Sequence, residues 1–266
     1  RPAPAWTRDG AFLVVRKLEQ DVPGFWRFAF AEAASLAQQP GFAGMSAERL
    51  AALMVGRWKS GAPLARTPRR DIPTLGADAM ENNRFGYAAS SSPFSARSPE
   101  RSGAPFPEAA ADERGVACPH AAHIRKMNPR DLDTVDGGAA DTLTRLLLRR
   151  GIPYGPALAN PLAPTRAELR APRGLMYLSY QASIGDQFEF LMRRWANRDD
   201  QPQGGGVDPI IGQGDDAAGK RMRRIVITGT GGRAATLELR RDWVHAAGGG
   251  YFFAPSLTAL RDVLAG

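Results

Sequence analysis

The sequence holds a single cysteine, Cys118, so no intrachain disulfide can form and no cysteine-based zinc cage can be assembled. No stretch approaches the roughly 18 consecutive apolar residues of a membrane-spanning helix, and nothing at the start resembles a secretory signal peptide. A basic stripe with interleaved aromatics is also missing: 35 Lys and Arg against 27 Asp and Glu give a formal charge of +8, but the arginines are scattered through every segment. That scatter argues against a nucleic-acid partner. The chain opens on Arg1 and a Pro/Ala-rich run, which sets the expectation of a processed product or a fragment. Compartment, cytoplasmic or exported, stays open, as does a homo-oligomeric state. What is present, 266 residues with 43% hydrophobic content, suffices for one large or two modest domains with a packed core.

Ala11 to Val15 reads as a short strand, and the charged residues and Pro23 that follow it read as a helix start, with the helix running from Phe25 to about Gln39. Ser46 is a candidate N-cap for a second amphipathic helix carrying Leu50, Leu53, Met54 and Trp58, stopped by Gly61-Ala62-Pro63. From about 63 to 114 periodicity disappears, and Ser90 through Pro107 is rich in Ser, Pro, Ala and Arg, the composition of a surface excursion or a flexible insertion. Asp141 to Arg150 fits a helix or a strand, ended by Gly151-Ile152-Pro153. Gly174 to Tyr180 reads as a buried strand, and Asp186 to Trp195 as a helix with Phe188, Leu191 and Met192 on one face. Arg224 to Thr228 and Thr236 to Leu239 read as two strands joined by a glycine-containing turn, Tyr251 to Phe253 as a last strand, and Ser256 as the cap of a terminal helix. This order predicts an α+β unit: an antiparallel sheet with helices on one face.

Three glycine clusters, at 204–206, 229–232 and 248–250, invite a phosphate-loop reading. The middle one follows a strand but precedes a second strand, not a helix whose N-terminus would hold a pyrophosphate, so turn glycines are the better reading. The informative region is Cys118-Pro119-His120-Ala121-Ala122-His123-Ile124-Arg125-Lys126, which contains two of the three histidines. A zinc site would want this trio plus a fourth ligand, at a spacing that is not one of the usual structural patterns. Cys118 fits either a thiolate ligand or a small buried residue, and either histidine fits a purely structural role.

The run AAHIRKMNPRD resembles the proximal-histidine segment of dye-decolourising peroxidases, and LLRRGIPYGP, GLMYLSYQASIGDQFEFLMRRW, DGAFLVVRKLEQDV, LMVGRWKSGAPL, VDPIIGQ and GGGYFFAPSLTAL are similar to further family segments in the same order. The resemblance spans almost the whole chain apart from the Ser/Pro-rich tract. It implies a ferredoxin-like α+β fold of the dimeric α/β-barrel-like superfamily, with 1–266 as the C-terminal haem-binding domain, an insertion at about 63–114, and an N-terminal half that is missing. It implies haem b as cofactor, hydrogen peroxide as oxidant, and a dye or phenol as reducing substrate.

By position, His123 matches the axial ligand of the haem iron, and Asp208 the carboxylate that accepts its other ring N–H; a turn aspartate before Pro209 is the alternative for Asp208. Arg149 matches the catalytic arginine over the distal face, with Arg150 the neighbour easily confused with it. Leu175 and Tyr177 match the strand lining the distal pocket, Arg125 is a candidate partner for a haem propionate, and Trp195 a candidate surface electron-transfer residue or an ordinary packing tryptophan. One departure matters: no G-x-x-D-G motif, which carries the family's distal acid, occurs in the chain. Asp9-Gly10 lacks the preceding glycine and is refused that role. The readings that compete with a peroxidase are a haem-handling protein without turnover, an inactive fragment, and a basic binding domain with no cofactor.

Overall fold

The computed structural model describes residues 4–89, 106–215 and 218–264. Strand β1 (Ala11–Gln20) runs five residues beyond the expected apolar stretch, because Arg16 to Gln20 stay in the ladder, Arg16 facing Tyr177 on one side and Gly249 on the other. Asp21 then caps α1 (Val22–Leu36), its carboxylate accepting a bond from the Gly24 amide at 2.8 Å, with Pro23 in the first turn. Helix α2 (Ala47–Val55) is capped by Ser46 as expected, but it stops before Trp58 because Gly56 adopts the left-handed conformation, φ 93°. Three short helices follow: α3 (Pro73–Ala77), α4 (His123–Met127) and α5 (Ala139–Thr144).

The ambiguous leucine-rich stretch is helix and strand in succession, α5 and then β2 (Leu148–Tyr154). Pro153 does not end it: β2 pairs only with β3, and an edge strand tolerates a residue without an N–H. After α6 (Arg166–Arg170) comes β3 (Gly174–Gln181), then two consecutive π-helical segments, Ile184–Glu189 and Leu191–Ala196. A hairpin of β4 (Arg223–Thr228) and β5 (Ala234–Leu239) turns through the Gly229–Gly232 cluster. The last strand, β6 (Val244–Ala254), absorbs Gly248 to Gly250 into the ladder, and Ser256 caps α7 (Leu257–Ala259).

The main sheet has the order β2-β3-β1-β6 with every neighbour antiparallel, and helical segments follow β1 and β3. This is the β-α-β-β-α-β connectivity of a ferredoxin-like α+β unit, with the β4–β5 hairpin placed before the final strand. Residues opposite each other in an antiparallel pair share a face. The register therefore puts Arg149, Ser179 and Val14 on one face, together with Tyr177, Leu175 and Arg16. The π-helical segment lies over this face, with the Phe188 ring 6.1 Å from Tyr177 and 6.2 Å from Tyr251. The opposite face leaves Leu148 (76%), Ile152 (52%), Tyr180 (42%) and Phe252 (53%) exposed.

A core of Ala29, Ala33, Leu36, Leu50, Leu53 and Met54 joins α1 to α2. Much of the tract expected to be an excursion belongs to this core: Leu64, Leu75, Phe85, Tyr87 and Ala109 are all buried in it. Residues 90–105, most of the Ser/Pro-rich run, lie outside the described residues.

Candidate functional site

His123 is the first residue of α4, and a buried scaffold fixes where that helix starts. The Asp112 carboxylate accepts backbone N–H bonds from Val116 (2.7 Å), Ala117 (3.0 Å) and Cys118 (2.8 Å), gathering the turn before α4. Arg125, two residues into the helix, clamps the same turn. Its guanidinium donates to Asp112 Oδ2 at 3.0 Å and to the carbonyls of Asp112, Cys118 and Glu113 at 2.8, 3.0 and 3.2 Å, and it lies 4.3 Å from the centre of the Tyr87 ring. Gly56 lets α4 come this close to the end of α2: a Cβ there would stand 2.4 Å from Ile124 Cγ1, and its φ of 93° already disfavours a side chain.

The His123 side chain is 28% exposed, and its Nδ1 donates to Asp208 Oδ2 at 2.8 Å. Its Nε2 has no hydrogen-bond partner among the described residues. Asp208 is fully buried and works with both oxygens: Oδ2 takes the histidine, while Oδ1 accepts the amides of Ile210 and Ile211 at 2.8 and 2.9 Å. The turn role and the histidine role are thus both present in one carboxylate. Burial pushes its pKa up, yet His123 and the two amides outweigh burial and leave it below the ordinary aspartate value.

Arg149 lies on β2, exposed, on the sheet face shared with Tyr177 and Leu175. Burial raises the Tyr177 phenol pKa, while a hydrogen bond with Ser179 and the charge of Arg149 pull the other way. Arg150 points to the opposite face. Arg57 sits near Arg149 and Arg130, and its pKa falls to about 10 through burial and these two charges. Arg57 donates to the carbonyls of Gly61 and Asn82 and to Asn83 Oδ1, and Arg130 to the carbonyls of Asn83 and Phe85. No carboxylate forms an ion pair with Arg57, Arg130 or Arg149 among the described residues. Two surface clefts, one including Arg70, Ile72 and Phe106 and the other Arg27, Phe28 and Trp243, contain none of these groups.

Two expectations are corrected. Arg125 is fully buried with its guanidinium enclosed by Asp112 and three carbonyls, so it braces α4 and does not reach outward to a propionate. Trp195 is not a surface residue: it is fully buried, with Nε1 donating to Asp136 Oδ2 at 2.9 Å and its ring edge-on to Phe190 at 5.5 Å. The thiolate reading of Cys118 gains no support, since the thiol is buried against Tyr87 and burial lifts its pKa to about 11. Among the described residues, no group of three or more His, Cys, Asp and Glu is placed to hold a bare metal ion, and His120 Nε2 is bonded to the Glu113 carbonyl at 2.8 Å.

The chain is 35% identical over 270 residues to a dye-decolorizing peroxidase of Mycetinis scorodonius, covering 98% of this chain and 47% of that protein. It is 33% identical over 265 residues to a multifunctional dye peroxidase of an Amycolatopsis strain, covering 96% and 49%. Over nearly its whole length the chain is similar to dye-decolourising peroxidases. Solved dye-decolourising peroxidases agree: an ancestral D-type enzyme aligns with a TM-score of 0.74 at 36% identity, over 99% of this chain and 53% of that one. A fungal enzyme of Auricularia auricula-judae aligns at 0.71 and 35%, over 97% and 54%. The chain spans about half the length of the curated dye-decolourising peroxidases it matches. No protein-family model matches it.

Sequence reasoning missed Arg57, Arg130, Asp112 and Lys126. Only Lys126 carried a local signal, standing three residues after His123 and so on the same side of a helix.

Proposed function

We propose that the chain binds haem b through His123 Nε2 and works as a peroxidase that reduces hydrogen peroxide and oxidises dyes or phenolics. One observation carries this reading: an imidazole whose Nδ1 is committed to a buried carboxylate at 2.8 Å while Nε2 remains unpartnered on a partly exposed ring. That donor set fits a histidine that would hold a haem iron, because the carboxylate fixes the tautomer and leaves the lone pair on Nε2. When bound, haem supplies the redox chemistry, cleavage of the peroxide O–O bond coupled to oxidation of a donor.

The chain's own residues do the remaining work. Asp208 orients the ring and keeps the Nδ1 proton on a hydrogen bond. Arg149 would offer a fixed positive charge to an anion developing over its sheet face, and Leu175 and Tyr177 would form a wall on the same face. Arg57 and Arg130 are bonded to carbonyl and amide oxygens and, among the described residues, to no carboxylate.

The test is a haemin titration followed by peroxide and a reducing dye. A Soret band of a ligated haem is expected, and His123→Ala should abolish it. If the His123→Ala variant gives the same ligated Soret band as the wild type, the reading falls. A ligated spectrum with no dye oxidation would reduce the reading to haem binding without turnover.

A further inference from the structure

Helix α4 presents two side chains from the same side, His123 and, three residues on, Lys126. Lys126 is fully buried, and its ammonium donates to the carbonyls of Arg198 and Gln201 at 2.8 and 2.5 Å. Those carbonyls belong to the loop that runs from Ala196 to Asp208, and the loop closes on itself where the Asp208 amide bonds the Ala196 carbonyl at 2.9 Å. The segment that delivers Asp208 to His123 is therefore held to α4 at two points, one by each of these side chains. A buried ammonium loses its hydration and is retained only where fixed dipoles and counter-charges replace the water. Here Asp208, Asp199 and Asp200 supply the counter-charge, Asp208 first among them. A second buried cation, Arg223 of β4, is paired with Asp242 at 3.3 Å, feels Asp208 after it, and donates to the Pro209 carbonyl at 2.7 Å. Asp208 thus sits in the field of two interior cations besides its contact with His123.

We propose that Lys126 is a positioning residue for the axial histidine: it staples the 196–208 loop to α4 so that Asp208 meets His123 Nδ1, and its charge, with that of Arg223, draws the negative charge of Asp208 away from the imidazole. The imidazole is then a less electron-rich ligand than a histidine facing an unscreened carboxylate. This rests on the haem reading above for its electrochemical consequence, but the geometry around Asp208 is present in the haem-free chain.

The test uses Lys126→Met, which keeps the aliphatic stem and removes the charge, Lys126→Gln, which keeps a donor for the two carbonyls, and Lys126→Arg, which keeps the charge. In the haem-loaded protein, spectroelectrochemistry should find the ferric/ferrous midpoint shifted to more negative potential in the Met and Gln variants and returned toward wild type in the Arg variant. In the haem-free protein, the His123 Nδ1 proton resonance should move in the Met and Gln variants and recover in the Arg variant. A merely structural lysine would alter stability and leave both signals in place; wild-type potential and wild-type resonance in a folded Met or Gln variant overturn the proposal. If Lys126→Met fails to fold, the Gln variant decides. Failure of the wild-type chain to take up haemin refutes the haem reading alone, and the proton resonance still judges Lys126.

Discussion

Replacing Arg125 with methionine separates a bracing role from a cofactor-binding one. The guanidinium is fully buried and paired with Asp112, whose side chain is 5% exposed. Removing one partner of a buried pair costs about 3–5 kcal/mol because the other charge is left without compensation. Asp112 keeps three backbone donors, Val116, Ala117 and Cys118, which holds the cost toward the lower end. The carbonyls of Asp112, Glu113 and Cys118 each lose a donor, which pushes it back up. For a chain of this size each kcal/mol corresponds to about 2–4 °C, so Arg125→Met should lower Tm by about 6–20 °C. Thermal unfolding followed by circular dichroism measures this, and a haemin titration at a temperature where both proteins are folded measures affinity. The expected result is a large loss of stability with haemin affinity unchanged. A Tm within about 2 °C of wild type, accompanied by weakened haemin binding, would refute the reasoning and return the guanidinium to the cofactor.

Arg149→Leu should leave haemin uptake intact and slow peroxide consumption by about 10²–10³-fold, the usual effect of removing one stabilising donor from a developing anion; stopped-flow mixing with peroxide reads this directly. Trp195→Phe strips a donor from Asp136 and should cost about 1–3 kcal/mol, with bulky-dye oxidation by the haem-loaded protein unchanged. Selective loss of dye oxidation would contradict the buried placement. Lys126 is pushed from its ordinary 10.5 down to about 8, mainly by burial. Between those values the unfolded chain binds the proton and the folded chain does not, so stability should rise with pH across that window, by up to about 3 kcal/mol relative to Lys126→Met. Denaturant titrations of both proteins at pH 7 and pH 10 check it.

Local signals carried much of this fold. Ser46 and Ser256 cap where their side chains face open amides, and the alternation around β4 and β5 matches a hairpin with one buried face. Where packing had no period, reading along the chain was blind: Leu64, Leu75, Phe85 and Tyr87 enter the core from irregular backbone, so no spacing announces them. Trp195 was misplaced for a related reason. In a π-helix residues five apart come together, and Phe190 meets Trp195 across that interval, turning the indole inward where an α-helical count leaves its direction open. The histidine and its carboxylate were legible only through family likeness, since 85 residues separate them. Arg125 and Arg130 look equivalent in the sequence, and only tertiary contacts decide that one is enclosed by Asp112 while the other lies 3.7 Å from the centre of the Phe85 ring.

The doubled arginine in β2 has a further meaning. Strand side chains alternate, so the hydrogen-bond pairing with β3, and not residue identity, chooses which guanidinium shares the sheet face of Tyr177 and Leu175. Should β2 slide by one position, Arg150 would take the place Arg149 vacates, and a cation would still project from that spot. A lone arginine would leave the displaced strand with no charge there, whereas the tandem keeps a cation on the Tyr177 face in either register.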